Sequence, residues 1–569
     1  MARRLLAVLV LAAVFASAAL TAASAKEGSL YRPPVSGTLG VVATENEQAA
    51  RVGRTVLEDG GNAVDAAVST VFAMGVSRPQ SCGIGGGGFM VYRSHTGTIA
   101  ALDFRETAPA AFTPETLQGS GLHKTFTGHL TVGVPGVVQG MAGALRRFGT
   151  ISLARAVAPA ESMAREGITV TPALESAMTQ NASRLKLFPA AAQQYLLNGE
   201  DPYQAGSLLR QPDMAKSLSL IAEEGPKAFY RGRIARLIVA DMRHTRKDPI
   251  AGDAALMESS DLDGYRAKWR EPLLGSFRGR GIVAMPPPTS GGIAVLEMLN
   301  ILEGFDLNTM GQSSADALHL IAEAQKLAWQ DRNTYVGDPD FVDVPTDTLI
   351  SKGYAAERRA LIDMAHAGSY GPGLGPYPPG STTHMSFIDR DGNAVAVTCT
   401  IEQEFGSAVV APGTGFLLNN EMTDFGAPGT ANEARAFKRP RSSMSPTIAT
   451  ENGRPIDVTG GAGGSRIIMG TFFSLLNRIE YGLDLAQAVD AERIDAQQEP
   501  AGPILIEDAR IGSGVIDDLL ARGHTFASEG EYAARPRVQA AGYRTSSGDP
   551  LKDAVSDPRT EAGSLAERP

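Results

Sequence analysis

The sequence predicts a globular protein built from both helices and strands. Of its 569 residues, 43% are hydrophobic and 20% are charged, which is typical of a soluble globular protein and excludes a disordered, fibrous or coiled-coil chain. From Gly40 onward, helical and extended patterns alternate. Residues 136–330 are mostly helical, whereas residues 385–401 predict a β-hairpin with its turn at Asp391-Gly392.

Local patterns place several individual elements. Helices are predicted over residues 44–58, 62–75, 152–166, 315–332 and 467–479. Strands are predicted over residues 89–92, 99–102, 385–389 and 394–401. Thr44 is the predicted N-cap of the first helix, and Gly60 and Gly61 stop that helix.

Charge and cysteine content exclude several kinds of partner. The net charge of −10 is opposite to the basic footprint of a nucleic-acid-binding protein, so no nucleic-acid partner is expected. The two cysteines, Cys82 and Cys399, allow either one disulfide or buried thiols, and the sequence does not choose between them. No Cys/His cluster has the spacing of a zinc site, and we expect neither a metal nor a cofactor.

The first 25 residues have the pattern of a secretory signal peptide. Two arginines at residues 3–4 precede an apolar run over residues 5–20, and residues 23–25 (Ala-Ser-Ala) form an A-x-A cleavage signal. The apolar run is shorter than the roughly 20 residues of a spanning helix, so we expect no membrane span after the signal is removed. The mature chain is predicted to begin at Lys26 and to be secreted, either periplasmic or extracellular.

Two glycine-rich segments lead to different predictions. Residues 83–88 match G-x-G-x-x-G, but the apparent strand follows the glycines instead of preceding them, so we expect no dinucleotide site. Residues 459–466 (TGGAGGSR) precede the predicted helix over residues 467–479. Glycines at such a position leave backbone N–H groups open to a negative oxygen, and these donors could hold the oxyanion of an acyl-transfer intermediate. The alternative is a tight turn that serves packing alone.

The segment before the hairpin has two possible roles. Residues 368–380 (GSYGPGLGPYPPG) can form neither helix nor sheet and are predicted to lie exposed. They are either an interdomain linker or a processing loop whose cleavage frees a threonine at the head of a central strand. The hydroxyl of an N-terminal threonine is a competent nucleophile because its own α-amine, with a usual pKa of about 7.7–8.0, can take the proton. Thr382 and Thr383 enter the hairpin directly after Ser381.

Charged and hydroxyl residues elsewhere suit an amino-acid head group. Arg105 could pair bidentately with a carboxylate, and Ser442 and Ser443 could add hydroxyl donors. The carboxylates that could surround an ammonium group are Glu402, Glu421 and Asp424. Each of these residues alone is typical of an ordinary surface, so only the whole set predicts a binding site.

Together these motifs resemble the γ-glutamyltranspeptidase (glutathione hydrolase) family of N-terminal-nucleophile hydrolases. The resemblance extends from about Gly40 to Arg559. Its specific segments are residues 60–67 (GGNAVDAA), 85–90, 103–106 (DFRE), 286–292 (PPPTSGG), 337–339, 382–384, 417–420 with Met422 and Asp424, 442–447 (SSMSPT) and 463–466 (GGSR). Matches in this number and order are not expected by chance.

The resemblance implies an α+β fold, the four-layer αββα sandwich, in which two stacked sheets lie between helical layers. It implies that Thr382, rather than Thr383, is the nucleophile and that the chain cuts itself between Ser381 and Thr382. The expected products are a large subunit, residues 26–381, and a small subunit, residues 382–569, which together form the sandwich as a heterodimer.

The resemblance also assigns roles to the site residues. Thr400 would hydrogen-bond the nucleophile and assist processing, and the backbone N–H groups of Gly463 and Gly464 would form the oxyanion hole. The substrate α-carboxylate would be bound by Arg105, Ser442 and Ser443, and the α-amine by Glu402, Glu421 and Asp424. The implied reaction transfers the γ-glutamyl group of glutathione or another γ-glutamyl donor to water, an amino acid or a peptide, without a cofactor.

Departures from the family pattern bear on the substrate. Glu402 stands where several members have Asn, and Glu421 stands where some have Gln, which makes the ammonium pocket more negative. The segment from Phe425 to Ser442 is shorter than in members that carry a lid over the donor pocket. We therefore expect a lidless site that admits larger donors such as poly-γ-glutamate. The two cysteines are not part of the family motif.

Two other functions are consistent with such a fold. A glutaryl/cephalosporin acylase would act on a side chain that lacks an α-amine, so the three carboxylates would have no positive partner. A secreted binding protein without activity would be expected to have lost Thr382, Arg105 or the Gly463-Gly464 pair, and all of these are present.

Overall fold

Two antiparallel β-sheets, stacked face to face, form the centre of the protein. The computed structural model describes residues 30–119, 126–244, 256–371, 380–498, 502–533, 535–546 and 548–568. The predicted signal peptide and residues 372–379 of the glycine- and proline-rich segment lie outside these ranges. Each sheet has seven strands within the described part of the chain.

Sheet 1 contains the predicted hairpin. In spatial order its strands are Gly563–Ala566, Val41–Thr44, Thr382–Ile388, Ala394–Thr400, Gly87–Arg93, Ile99–Asp103 and Lys268–Arg270. Thr382 pairs with Thr400 at the open end of the hairpin, and Ile388 pairs with Ala394 at its turn. The first hairpin strand begins three residues earlier than the sequence predicted, so Thr382 is itself the head of the strand.

Sheet 2 packs on one face of sheet 1. Its strands, in spatial order, are Val35–Gly37, Lys552–Ser556, Arg537–Tyr543, Arg454–Ala462, Thr447–Glu451, Arg280–Ala284 and Leu273–Phe277. Apolar side chains from both sheets fill the space between them, among them Phe89 and Ile388 from sheet 1 and Val283 and Ile448 from sheet 2. Because side chains alternate along a strand, Met385 and Phe387 point to the opposite face of sheet 1 and join a different core.

Helices cover the outer face of each sheet. Helices Glu47–Glu58 and Ala63–Ser77 share a core with Met385, Phe387 and their neighbours in sheet 1. Helices Gly291–Leu302, Ala315–Tyr335 and Ile467–Ile479 share a second core with the outer face of sheet 2. The order helix, sheet, sheet, helix confirms the predicted α+β sandwich of four layers.

The remaining elements surround these layers. In the described ranges the other α-helices are Pro114–Gly119, Val137–Phe148, Leu153–Glu166, Pro172–Leu185, Pro189–Tyr195, Pro212–Glu224, Pro226–Tyr230, Arg233–His244, Ser259–Gly264, Leu307–Met310, Thr346–Leu349, Lys352–Arg359, Leu485–Asp490 and Ser513–Ala521. Short 3-10 turns span His129–Thr131, Glu421–Asp424, Gly464–Arg466 and Asp508–Arg510. Short strands outside the two sheets are Ile168–Thr169, Leu196–Leu197, Asp201–Pro202, Leu208–Leu209, Ile494–Asp495, Ile504–Ile506 and Phe526–Ser528. Within the described ranges, no helix is both long and apolar enough to cross a membrane.

The start of the first helix differs from the prediction. Thr44 ends a strand of sheet 1, and the N-cap is Asn46, whose side chain accepts a hydrogen bond from the backbone N–H of Ala49. Thr44 was the wrong choice because its hydroxyl is already bonded to the backbone of Asn46. Thr44 pairs with Gly563 in sheet 1, so the helix can begin only after the strand has ended.

Both sheets combine strands from the two sides of the Ser381–Thr382 bond. Sheet 1 places the Thr382–Ile388 strand beside Val41–Thr44, and sheet 2 places Thr447–Glu451 beside Arg280–Ala284. A cut at this bond would therefore leave each sheet built jointly by two polypeptides.

Candidate active site

A pocket at the open end of the hairpin brings the candidate site residues together. Its cavity volume is about 90 Å³. Its walls include nine of the predicted site residues: Arg105, Thr382, Thr400, Glu402, Glu421, Asp424, Ser442, Ser443 and Gly464. Ser381 and Gly463 directly precede two of these lining residues in the chain. The pocket is also lined by Arg332 and Arg441, which the sequence analysis did not select.

Thr382 and Thr400 meet across the hairpin. Their Oγ1 atoms lie 3.2 Å apart. Thr400 Oγ1 also donates to the carbonyl oxygen of Ser381 at 3.2 Å and accepts the backbone N–H of Glu402 at 2.8 Å. A hydroxyl has a single hydrogen, so when Thr400 donates to the carbonyl, the hydroxyl of Thr382 donates to Thr400. One side chain therefore orients the nucleophile candidate and contacts the peptide carbonyl before it.

The peptide before Thr382 is held from several sides. The backbone N–H of Ser381 donates to the carbonyl of Glu402 at 2.6 Å, and the Ser381 hydroxyl lies 2.8 Å from that of Ser81. A Cβ atom at Gly380 would lie 3.1 Å from the Cα of Gly464. Glu402 has φ +76°, a left-handed conformation that costs a non-glycine residue about 1–3 kcal/mol. This conformation lets its backbone bind both Ser381 and Thr400.

The two cysteines form a disulfide beside this peptide. Cys82 is bonded to Cys399, with their Cα atoms 5.3 Å apart, and both are fully buried. This result settles the alternative that the sequence left open. Cys399 directly precedes Thr400, and Cys82 directly follows Ser81.

Arg105 and a set of carboxyl groups form a buried ionic cluster in one wall of the pocket. Nη1 of Arg105 lies 2.7 Å from Oε2 of Glu421, and Nη2 lies 2.5 Å from Oδ2 of Asp424. The Glu106 carboxyl lies 3.8 Å from Nη1. Burial lowers the pKa of Arg105, but these carboxylates together raise that pKa above its usual range. In this structure Arg105 therefore pairs with two carboxylates that the resemblance assigned to the substrate amine.

Acidic groups outnumber basic ones in this cluster. Burial, with a smaller contribution from Asp424, raises the pKa of Glu402 well above its usual range. Burial also raises the pKa of Glu421 well above its usual range and that of Glu106 to about 8, although Arg105 opposes both shifts. Such carboxyls retain protons near neutral pH because the single guanidinium does not neutralise them all. An ammonium group bound here would add a second positive charge, which favours ionisation of these carboxyls.

Two serines and Arg332 form another part of the pocket wall. Nη2 of Arg332 donates to the hydroxyl oxygen of Ser443 at 2.9 Å, and its Nε donates to that of Ser290 at 2.8 Å. The Ser290 hydroxyl in turn donates to the carbonyl of Ser442. The Ser442 hydroxyl accepts the backbone N–H of Met444 at 3.1 Å. Because both serine oxygens act as acceptors within the protein, their hydrogens remain directed elsewhere and can be donated to an anion.

The glycine-rich segment lies at the start of a helix beside Thr382. Gly463 has φ +135° and Gly464 has φ +64°, conformations that glycine adopts without the penalty of a Cβ atom. Gly464 begins a 3-10 turn that leads into helix Ile467–Ile479. The backbone N–H groups at this end carry the positive end of the helix dipole, which favours a negatively charged oxygen.

His384 is not placed to act as a base for Thr382. Its Nδ1 is 2.8 Å from the Thr398 hydroxyl, and its Nε2 is 3.0 Å from the Ser386 hydroxyl. Burial lowers the pKa of His384 to about 3, so the ring is neutral near pH 7. The histidine of the Thr-Thr-His motif therefore holds the strand in place.

Another set of described residues has the donor types of a metal site, away from the pocket lining. His319, Glu323 and His524 are buried with their donor atoms within 4.8 Å of one another. However, Lys326 and Tyr370 both bind the Glu323 carboxylate, so its charge already has a partner. This set suits a hydrogen-bonded cluster better than a cation.

Comparison with known proteins places this site in a family. The chain matches the γ-glutamyltranspeptidase family model over residues 49–566. It is 41% identical, over 506 residues, to the glutathione hydrolase proenzyme of Escherichia coli (strain K12), which covers 86% of this chain and 85% of the relative. The chain belongs to the γ-glutamyltranspeptidase family. This finding confirms the resemblance and shows that the protein is an enzyme of that type.

Acylases of the same fold are also similar to this γ-glutamyltranspeptidase-family chain. It is 40% identical, over 504 residues, to the acylase ACY 1 proenzyme of Pseudomonas sp. (strain SE83), covering 87% of this chain and 88% of the relative. The crystal structure of a cephalosporin acylase from Bacillus halodurans superposes with a TM-score of 0.85 at 29% identity, covering 97% of this chain and all of that one. The γ-glutamyltranspeptidase of Helicobacter pylori has a TM-score of 0.53 at 38% identity, covering 56% of this chain and 90% of that one. Overall similarity thus gives the family and fold, whereas the roles of single site residues stay predictions.

Proposed function

We propose that the protein is a γ-glutamyltransferase and γ-glutamyl hydrolase that activates itself by cutting the Ser381–Thr382 bond. The observation that supports this function most strongly is the pocket itself. It places the Thr382 hydroxyl in the same cavity as the acidic Glu402, Glu421 and Asp424. An electrophile bound through an ammonium group would therefore lie within reach of a threonine nucleophile.

Self-cleavage would begin at the contact between Thr382 and Thr400. The Thr382 hydroxyl oxygen attacks the carbonyl carbon of Ser381, the C–N bond breaks, and the hydroxyl proton passes to the Thr382 nitrogen. The resulting ester is hydrolysed by water, which leaves a carboxylate on Ser381 and a free amine and hydroxyl on Thr382. The Thr400 hydroxyl donates to the Ser381 oxygen and would stabilise the negative charge that develops there. The products are residues 26–381 and 382–569.

The mature enzyme would repeat this chemistry on a γ-glutamyl donor. The α-amine of Thr382 accepts the hydroxyl proton while the oxygen attacks the γ-carbonyl carbon. Backbone N–H groups of Gly463 and Gly464 stabilise the oxyanion. The leaving amine takes the proton, and a γ-glutamyl ester remains on Thr382. Water then releases glutamate, or the amine of an amino acid or peptide forms a new γ-glutamyl amide.

Donor recognition would proceed by exchange of ionic partners. The α-ammonium of the donor would take Glu421 and Asp424 from Arg105, and Arg105 would take the α-carboxylate together with Ser442 and Ser443. The head group is a zwitterion, so this exchange does not change the net charge of the pocket. Glutathione, the substrate in the name of the glutathione hydrolase relatives, is one such donor.

The open pocket supports the proposal that larger donors are accepted. In the segment 425–441, only Arg441 lines the pocket. Its other residues fold on themselves beside the pocket: Asn432 donates to the carbonyl of Asp424, and Lys438 donates to the carbonyls of Ala431 and Glu433. No described residue of this segment crosses the pocket as a lid, so we propose that poly-γ-glutamate chains can enter.

The competing function is that of a glutaryl/cephalosporin acylase, because acylases are among the similar proteins. A glutaryl group has no ammonium group, so it could not bind Glu421 and Asp424 in the way proposed for a γ-glutamyl donor. We expect turnover of γ-glutamyl-p-nitroanilide to exceed turnover of glutaryl-cephalosporin by at least about a hundredfold, because a glutaryl group cannot make the charge-assisted hydrogen bonds of the ammonium group, each worth about 1.5–3 kcal/mol. A preference for the glutaryl substrate would contradict the proposed function. From the predicted signal peptide we also propose that the enzyme acts after export.

A further inference from the structure

The disulfide crosses the bond at which the chain is proposed to cut itself. Cys82 follows helix Ala63–Ser77 and lies 299 residues before Ser381 in the sequence. Cys399 lies after the cut, in the second hairpin strand. After a cut between Ser381 and Thr382, the two cysteines would belong to different polypeptides. Both are fully buried, so the bond is shielded from solvent thiols in the folded protein.

Neighbours of the disulfide bind the peptide that is to be cut. Ser81, beside Cys82, contacts the Ser381 side chain at 2.8 Å. Thr400, beside Cys399, donates to the Ser381 carbonyl at 3.2 Å. The residues next to the two cysteines therefore both contact Ser381. The Ser81 hydroxyl contacts its side chain, and the Thr400 hydroxyl contacts its carbonyl oxygen.

We propose that the Cys82–Cys399 disulfide couples oxidation of the precursor to its self-cleavage and then joins the two subunits covalently. This inference rests on the proposed cut at Ser381–Thr382. With the disulfide formed, Ser81 and Thr400 are fixed relative to each other, and the Ser381 carbonyl is presented to Thr382. With the thiols reduced, the Ser81 segment is released from that constraint, and a displacement of about 1 Å in such a geometry can slow a reaction about a hundredfold.

Formation of the disulfide needs an external oxidant but no further group from the protein. The two thiols lose two electrons and two protons to a disulfide oxidant, which is itself reduced to two thiols. Such oxidants are typical of compartments outside the cytosol. The later cut breaks only the Ser381–Thr382 amide, so the S–S bond persists in the product. A precursor made in a reducing cytosol would accordingly cut itself slowly until it is exported.

Gels of the purified enzyme test the covalent link. Without reductant, we expect one band near the mass of the uncut chain, and with reductant two bands, whereas Thr382→Ala gives one band under both conditions. Two bands without reductant would overturn the link while leaving the cut intact. One band from the unsubstituted chain with reductant would instead reject the proposed cut itself.

A redox-controlled time course tests the coupling. The precursor is synthesised in a cell-free system without residues 1–25, in either oxidised or reduced dithiothreitol, and cleavage is followed on reducing gels. We expect cleavage to be about tenfold slower or more in reduced dithiothreitol. The matched control is Cys82→Ala/Cys399→Ala, whose cleavage should be slow and insensitive to redox state. Its folding is checked by thermal unfolding.

Ser81→Ala separates positioning from general stability. This variant keeps the disulfide but removes the Ser81 hydroxyl that contacts the Ser381 side chain, so we expect slower cleavage together with an intact crosslink on non-reducing gels. Wild-type cleavage rates in the double cysteine variant, or an equal effect of reductant on that variant and on the unsubstituted chain, would overturn the coupling.

Discussion

Thr382 and Thr400 face each other at the open end of the hairpin, with their hydroxyl oxygens 3.2 Å apart, and the Thr400 hydroxyl also binds the carbonyl of Ser381. The position follows from the register, which pairs these residues across the hairpin. Thr400 is therefore in contact with the attacking oxygen and with the oxygen of the carbonyl group that would be attacked. Strand pairing places a nucleophile, its carbonyl target and a hydrogen-bond donor within one small volume.

Loss of the Thr400 hydroxyl should slow self-cleavage. For Thr400→Val we expect cleavage to fall about a hundredfold, because one hydrogen-bond donor to a developing oxyanion typically contributes 10²- to 10³-fold. Thr400→Ser keeps the hydroxyl and should cleave within about tenfold of the original rate. The fraction of uncut chain on reducing gels measures both. Rapid cleavage of Thr400→Val would show that this donor is not needed.

Replacing Thr382 should abolish both cleavage and activity. Thr382→Ala lacks the attacking oxygen, so we expect a single uncut chain that does not hydrolyse γ-glutamyl-p-nitroanilide. The matched control is Thr383→Ala, because Thr383 is the adjacent threonine and its side chain points to the other face of the strand. Normal subunit bands from Thr382→Ala would reject the nucleophile assignment.

Arg332 should act on donor binding through Ser443. Arg332→Gln removes the donor that holds the Ser443 hydroxyl at 2.9 Å, and we expect KM for γ-glutamyl-p-nitroanilide to rise about tenfold, since a hydrogen bond from a charged group contributes about 1.5–3 kcal/mol. The value of kcat should change little, because Thr382 and Thr400 are untouched.

A double-mutant cycle provides the control for this prediction. If Arg332 acts through Ser443, the Arg332→Gln/Ser443→Ala double variant should have a KM close to that of the worse single variant. Fully additive effects would show that Arg332 does not act through Ser443. The thermal unfolding temperature of each variant shows whether loss of the buried arginine has also destabilised the fold.

The carboxyl cluster should make stability depend on pH in a defined direction. Glu106 has its pKa raised to about 8, from an ordinary value of 4.5, chiefly by burial. Between these two values the folded protein retains a proton that the unfolded chain has lost. The free energy of unfolding should therefore fall as pH rises through this window, by up to about 1.4 kcal/mol per pH unit from this group.

Glu106→Gln should remove that contribution. Gln does not titrate, so the difference in unfolding free energy between the variant and the original protein should grow in favour of the variant from about pH 5 to about pH 8. A difference that is constant with pH for Glu106→Gln would contradict the assigned ionisation. Denaturant titrations at a series of pH values provide the measurement.

Donor length should have little effect on turnover if the pocket lacks a lid. We expect kcat/KM for γ-glutamyl oligomers to stay within about tenfold of that for a single γ-glutamyl amide, because the additional residues can extend into solvent. The measurement is glutamate release from oligomers of increasing length. A steep loss beyond the first residue would contradict the open-site proposal.

The sequence predicts local features of this protein better than it predicts long-range pairing. Helix Ile467–Ile479 has the bounds that its apolar pattern predicted, and the hairpin lies where its turn residues placed it, because both patterns report on near neighbours in the chain. The Arg332–Ser443 contact joins residues 111 positions apart and leaves no local trace. Arg332 stands in a helix whose other residues are mostly buried and apolar, so nothing in its own segment marks it as a pocket residue.

The ionic partners of Arg105 could not be read from the sequence either. Glu421 and Asp424 have carboxylates that could bind a substrate amine, which is the role that the sequence predicted for them. The sequence does not indicate that both carboxylates bind Arg105 in this structure. The sequence also did not predict whether the two cysteines form a disulfide, since they pair only if the fold brings them together. In each case the sequence supplied suitable chemical groups and tertiary packing decided which of them meet.

N-terminal sequencing of the shorter fragment tests the central claim most directly. If the chain cuts itself to make Thr382 the first residue of a new polypeptide, a fully active preparation should give Thr-Thr-His-Met at the start of that fragment. A different first residue in such a preparation, or full activity in a chain that has not been cut, would contradict the account.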